Sequence, residues 1–426
     1  MVSCMTTYNF DKITNRKGTN CLKYDFAVER GKPADVLPLW VADMDFPVSE
    51  EISKSLHAAV EHGIYGYTQP KDAYYNAVMN WMERKHNWKT KREWIVKTPG
   101  VVFALGAAVK AFTDPGDAIL IQNPVYYPFT NIIRDNDRKV VDNTLVYHSV
   151  TERTVVPVTT DDASEQQINN VGTVSPAYQI DFEDFERKIE QEHVKLFILC
   201  NPHNPVGRVW TVEELQKLGE ICLRHHVIVV SDEIHNDFVY PGYEHTVFAN
   251  VDPRFAEFTL TCTAPSKTFN LAGLQISNIF IPNENLRKAF KTEIDRTGYD
   301  EPNALGVVAC EAAYRAGEDW LDQLKAYLLK NLNFLRDFLQ EKLPQIHLVE
   351  PEGTYLVWLD CSELGITGKE LDQFIVDKAG LWLDGGSMFG PDGAAFQRVN
   401  IACPQATLEL ALNKLKAAVE GYGNHL

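Results

Sequence analysis

Five stretches of the chain are apolar almost without interruption: Asp117–Gln122 (DAILIQ), Lys195–Cys200 (KLFILC), Val227–Ser231 (VIVVS), Thr259–Thr263 (TLTCT) and Ile276–Ile281 (ISNIFI). A strand covered on both faces has this pattern, because neither side of it meets water. Helical periodicity fills several of the gaps. Val101–Phe112 reads as a helix closed by Asp114-Pro-Gly116. Thr211-Val-Glu-Glu214 is a capping box that opens a helix running to about His225. Strands that alternate with helices predict a mostly parallel sheet between two helical layers, an α/β fold.

The two ends of the chain follow another pattern. Residues 1–47 are irregular and rich in turns. From about residue 290 onward there are long helices (Trp320–Lys342, Gln405–Tyr422) and short strand candidates (Gly353–Leu359, Gln397–Ile401) that do not alternate. The expected organisation is an arm, 1–47, that joins a smaller α+β domain, 290–426, with a large domain at 48–289 between them. Segment 148–178 is polar and lacks periodicity, which predicts a long surface loop or flap; Thr154–Thr159 could form an edge strand within it.

Composition narrows the partners. With 41 Lys and Arg against 58 Asp and Glu, the net charge is −17, which argues against nucleic acid and anionic membranes. The basic stretch Lys85–Arg92 reads as solvated surface. No apolar run reaches the roughly 18 residues of a membrane span, and the N-terminal residues lack the apolar core of a signal peptide. Eight scattered cysteines form no C-x-x-C pair, so a cytoplasmic setting with free thiols is expected. The spacing of His203 and of His225–His226 offers no metal site.

Candidate chemistry lies where predicted strands end, and open α/β sheets bind ligands at the carboxyl ends of their strands. Asp232 ends VIVVSD, Lys267 follows TLTCTAPS, Asn201–Gly207 follows KLFILC, and Pro124–Tyr126 follows DAILIQN. Each has an ordinary reading alone: a helix cap, an exposed lysine, a turn, a core aromatic. Together they supply a carboxylate, an amine that can attack an aldehyde, an amide and a stacking ring. Rival motifs are absent, including G-x-G-x-x-G, G-x-S-x-G and H-E-x-x-H; Gly365–Lys369 is too short for a phosphate-binding loop.

In these residues the chain resembles fold-type I pyridoxal 5′-phosphate (PLP) enzymes of the aminotransferase superfamily, and most closely the MalY/PatB-type cystathionine β-lyases. The resemblance rests on LPLWVADMDFP (37–47), YGYTQP (65–70), NPVYYPF (123–129), NPHNPVGRVW (201–210), SDEIHNDF (231–238), TAPSKTFNLAGLQ (263–275) and RVNIACP (398–404). It implies a seven-stranded sheet and a homodimer. It implies that Lys267 carries the cofactor as an imine and then acts as base at the substrate Cα. Asp232 would hold the ring nitrogen protonated. Asn204 and His235 would bond the ring oxygen, and Tyr126 would stack on the ring. Gly100, Val101 and Val102, at a helix start, would bind the phosphate with Ser266. Arg398 would grip the substrate carboxylate, and Tyr67 would reach the neighbouring subunit's site. His235 and Gln275 stand where many aminotransferases have tyrosine and arginine, which agrees with the lyase branch. The implied reaction is β-elimination from cystathionine or another S-substituted cysteine, giving pyruvate, ammonia and a thiol. An aminotransferase, or a PLP-holding regulatory protein with little turnover, is the alternative.

Overall fold

The computed structural model describes residues 7–149, 155–156, 173–174 and 177–423. Its central feature is a seven-stranded sheet. In chain order the strands are β1 (Ile95–Thr98), β2 (Ala118–Ile121), β3 (Lys139–Asp142), β4 (Leu196–Cys200), β5 (Ile228–Asp232), β6 (Thr259–Thr263) and β7 (Ser277–Phe280). Across the sheet the order is β1-β7-β6-β5-β4-β2-β3. Only β7 runs antiparallel to its neighbours. The five strands read from apolar runs are all present, each within a residue of its expected ends. The two not read individually, β1 and β3, are the edges of the sheet.

Alternation along the central strands sends side chains into two separate cores. Leu196 and Ile198 pack with Leu105 and Ala108 of the Val101–Phe112 helix on one face. Phe197 and Leu199 pack with Leu215, Leu218 and Ile221 of the Val212–Arg224 helix on the other. The second helix begins with the expected capping box: the Thr211 hydroxyl accepts from the Glu214 N–H, and the Glu214 carboxylate accepts from the Thr211 N–H. Both β4 and β5 are therefore held flat between two dry layers, which fixes the direction of their carboxyl ends.

A smaller antiparallel sheet follows: β8 (His347–Val349), β9 (Leu356–Asp360), β10 (Asp384–Gly385) and β11 (Phe396–Asn400), in the order β8-β9-β11-β10. Helices Glu318–Lys342 and Gln405–Gly423 accompany it. The N-terminal arm reaches this region. Leu37–Pro38 pairs in parallel with Leu381–Trp382, and Asn400 donates to the carbonyls of Val41 and Asp43 at 2.6 and 2.7 Å. In segment 148–178, Val155–Val156 pairs with Thr173–Val174 in a two-stranded ladder separate from the main sheet. The rest of the loop or flap expected there falls largely outside the described residues. In the Lys85–Arg92 stretch the charged residues are at the surface, where Lys85 pairs with Glu318, Lys89 with Glu83 and Arg92 with Asp72, whereas His86 and Trp88 are buried.

Candidate active site

Parallel pairing brings the strand ends together. Asp232 is the last residue of β5, in register with Cys200 of β4 and Cys262 of β6. The chain after β6 turns into the short Pro265–Thr268 helix, which carries Ser266 and Lys267. The chain after β4 supplies Asn204, and the chain after β2 supplies Tyr126. One cavity of about 180 Å³ is lined by Asp232, Lys267, Asn204, Tyr126, His235, Ser266 and Gly100–Val102. Nine of the eleven site residues expected from the sequence thus share one space.

The electrostatics of this cavity are unusual. Lys267 donates to the carbonyl of Ala42 at 3.0 Å, and Tyr355 donates to the same oxygen at 2.9 Å. Burial, with the Arg398 charge nearby, lowers the Lys267 amine from its ordinary 10.5 to about 8, against the opposing pull of Asp43 and Asp232. Burial, with Glu233 beside it, raises Asp232 to about 7. Its one side-chain hydrogen bond comes from the Ile234 N–H at 3.1 Å. Burial and the positive charges of Lys267 and Arg398 push His235 down to about 3, so its ring is neutral. A buried carboxylate served by a single weak donor fits a cationic partner from outside the chain. Other features fit the same cofactor. His235 Nδ1 is buried without a partner among the described residues. Gly100 caps the Val101–Phe112 helix with no side chain over the free N–H groups, and nothing lies within 4 Å of where a Cβ would stand. That leaves an anion site at the helix start, beside Ser266.

Arg398 lies on β11 and adjoins the cavity through Asn204, whose Oδ1 accepts from Nη1 at 3.0 Å. Its Nη2 donates to the Trp40 carbonyl at 2.9 Å and to Asp384. Donors on Nη1 and Nε remain, and the Nε group is buried with no partner among the described residues. Tyr67 is not brought to the cavity of its own chain: it is 95% exposed, on a surface shared with Tyr65 and residues 301–305.

Sequence reasoning gave no role to Ala42, Tyr355 or Asp384. Ala42 acts through its backbone, so no side chain could signal it. Asp384 meets Arg398 only because β10 and β11 are neighbours. Gln275 adopts a left-handed backbone conformation, φ 51°, and does not line the cavity.

A mostly parallel sheet with a half-buried lysine and a buried aspartate at adjoining strand ends suits a cationic, aldehyde-bearing cofactor. The chain belongs to the aminotransferase class I and II family, whose model matches residues 34–415. It is 44% identical to the cystathionine β-lyase PatB of Bacillus subtilis, over 96% of this chain and all of that one. It is 30% identical to the MalY protein of Escherichia coli, over 97% and 99% of the two chains. Among solved structures it is similar to cystalysin from Treponema denticola, which contains pyridoxal 5′-phosphate (36% identity, TM-score 0.89, 98% and 100% coverage).

Proposed function

We propose that this protein is a PLP-dependent C–S β-lyase that releases pyruvate, ammonia and a thiol from cystathionine or a related S-substituted cysteine. The observation that carries this reading is the joining of Lys267 and Asp232 in one buried cavity, in a chain 44% identical to a cystathionine β-lyase. Bound there, the cofactor ring supplies a sink for charge that develops at the substrate Cα. Lys267 would be the amine that holds the cofactor and the base that removes the Cα proton. Asp232 keeps the ring nitrogen protonated. The Asn204 amide and the neutral His235 ring face the ring oxygen, and Tyr126 covers the ring. The Val101–Phe112 helix start and the Ser266 hydroxyl hold the phosphate. Arg398 binds the substrate carboxylate through its remaining donors.

The test is incubation with cystathionine in the absence of any keto acid. Pyruvate and a free thiol are expected in equal amounts at ordinary enzyme rates. Trace pyruvate, together with rapid amination of 2-oxoglutarate, would replace the lyase with an aminotransferase. Neither product would point to a PLP-holding regulator.

Cofactor capture should follow the charge on Lys267. The nucleophile is the neutral amine, which predominates above its pKa of about 8. After the cofactor is stripped, the rate of recapture should rise about tenfold per pH unit below that value and level off above it. Stopped-flow absorbance checks this; a rate still climbing at pH 10 would mean that the amine is not depressed.

The same reading makes the enzyme a homodimer with shared sites. The exposed Tyr67, flanked by exposed Ile64 and Tyr65, is a surface suited to a second copy. Mixing the inactive Lys267→Ala and Tyr67→Ala variants should restore some activity, because hybrid dimers contain one site with both residues intact. Proven subunit exchange without recovery would place the role of Tyr67 within its own chain. The arm 1–47, large domain 48–289 and small domain 290–426 remain the proposed division, supported by the Leu37–Pro38 pairing and the Asn400 bonds to the arm. Free thiols at the seven described cysteines suit a cytoplasmic setting, and no described helix is long and apolar enough to cross a membrane.

A further inference from the structure

A second cavity, of about 530 Å³, lies between the end of the Asp72–His86 helix, the 236–245 segment after β5 and the Glu318–Lys342 helix. It shares no lining residue with the cofactor cavity. Its walls are mostly apolar, with Leu321, Leu328 and Leu329 among them. Four polar groups in it lack partners among the described residues, one of them the buried Tyr240 hydroxyl. Lys325 makes no hydrogen bond or ion pair among the described residues, and burial lowers its pKa. The Asn236 amide, in a residue 6% exposed, has no side-chain hydrogen bond among the described residues. His245 is 7% exposed; its Nε2 meets the Glu233 carboxylate at 3.0 Å, while Nδ1 is buried with no partner among the described residues.

Three of the unmet groups, Lys325, Asn236 and His245, each select a ligand feature. Asp237 and Asp322 act on the half-buried Lys325 ammonium, but neither bonds to it, so it is open to an anion. Asp237 is already engaged by Trp81 at 3.1 Å, His86 at 3.1 Å and Thr268 at 2.6 Å, and Asp322 pairs with Lys85 at 3.6 Å. Asn236 can donate to a second oxygen of the same anion. The Nε2 of His245 faces a carboxylate and so carries a proton, which leaves Nδ1 as the ring atom open to a ligand hydroxyl, a group that can donate or accept. The leucines call for a hydrocarbon body.

We propose that this cavity is a second small-molecule site, and that it takes a small aliphatic carboxylic acid bearing a hydroxyl or amino group. The carboxylate sits on Lys325 and Asn236, the hydroxyl or amino group on His245, and the body against the leucines. The position ties the ligand to the catalytic pair. Asp237 holds Thr268, the neighbour of Lys267 in the chain, and His245 holds Glu233, the neighbour of Asp232.

The test is calorimetric titration of the holoenzyme with 2-hydroxy-4-methylpentanoate, a probe that has no amine to react with the cofactor. One saturable site per chain is expected. Binding should weaken about tenfold in Lys325→Gln, which loses the charged partner, and as much in Ala326→Trp, which plugs the cavity from an exposed lining position. Binding should persist in Arg398→Ala, which removes the carboxylate grip of the other cavity. The analogue 4-methylpentanoate, lacking the hydroxyl, should bind more weakly, and 4-methylpentan-1-ol not at all. No binding to the wild type would overturn the proposal. So would equal binding to the wild type, Lys325→Gln and Ala326→Trp, or loss in Arg398→Ala alone, which would put the acid on the catalytic site. Equal affinity for 4-methylpentanoate would overturn the role given to His245. Circular dichroism of both cavity variants separates lost binding from lost folding.

Discussion

Lys267→Ala should abolish the visible absorbance of the bound cofactor and leave no adduct on the protein after borohydride treatment. Turnover should fall by at least roughly 10²–10⁴-fold, the share that a positioned base alone supplies. The loss of covalent attachment adds to this. The fold should survive. Lys267 makes one side-chain hydrogen bond, to the Ala42 carbonyl, and Tyr355 still donates to that oxygen in its absence. The half-buried amine is also held below its ordinary pKa by desolvation, so the folded state gains nothing from keeping it charged. The variant should therefore melt no earlier than the wild-type protein stripped of cofactor. Absorbance, mass spectrometry after reduction and a thermal scan measure the three effects. A borohydride-stable adduct that remained on the variant would assign the cofactor to another lysine.

How far the sequence foretold this site depended on where each residue lies. The central strands were legible because dry layers on both sides forbid polar positions; Leu196–Cys200 and Thr259–Thr263 are buried throughout. The edges β1 (IVKT) and β3 (KVVD) were not, since an edge strand carries charge where it meets water. Lys267 and Asp232 were legible because each directly follows a buried run. The partners of Arg398 were not. Asp384 lies 14 positions away and is brought close only by the pairing of β10 with β11, which no local pattern announces. Asn204 was expected to face the ring oxygen. Its Oδ1 accepts from Arg398, a contact the sequence did not announce, which leaves its Nδ2 group as the donor toward a ligand. Tyr67 shows the reverse case. Its motif was plain in the sequence, yet a single chain leaves it in solvent.

Asp232 and Glu233 are adjacent buried carboxylates, and their surroundings predict opposite results on substitution. Glu233 has three partners: the Ser231 hydroxyl at 2.8 Å, the His245 ring at 3.0 Å and the Phe248 N–H at 3.1 Å. It is a fold residue, and Glu233→Gln should lower thermal stability. Asp232 has only the Ile234 N–H, and without a cation its carboxyl titrates near 7. That raised value marks a charge waiting for a partner. A cationic ring nitrogen would draw it back to the ionised form, as an opposite charge does for any carboxylate. Asp232→Asn keeps the shape and removes the charge. Turnover should fall by roughly 10²–10³-fold, the usual cost of deleting one oriented electrostatic contact in a buried site. Cofactor affinity should drop with it, while the melting temperature of the cofactor-free chain stays close to wild type because only one backbone contact is disturbed. Steady-state kinetics, cofactor titration and melting of Asp232→Asn and Glu233→Gln in parallel separate the two roles. If Asp232→Asn kept activity within about twofold, a barrier change of only some 0.4 kcal/mol, the carboxylate would not be acting on the ring, and the catalytic reading of β5 would have to be abandoned.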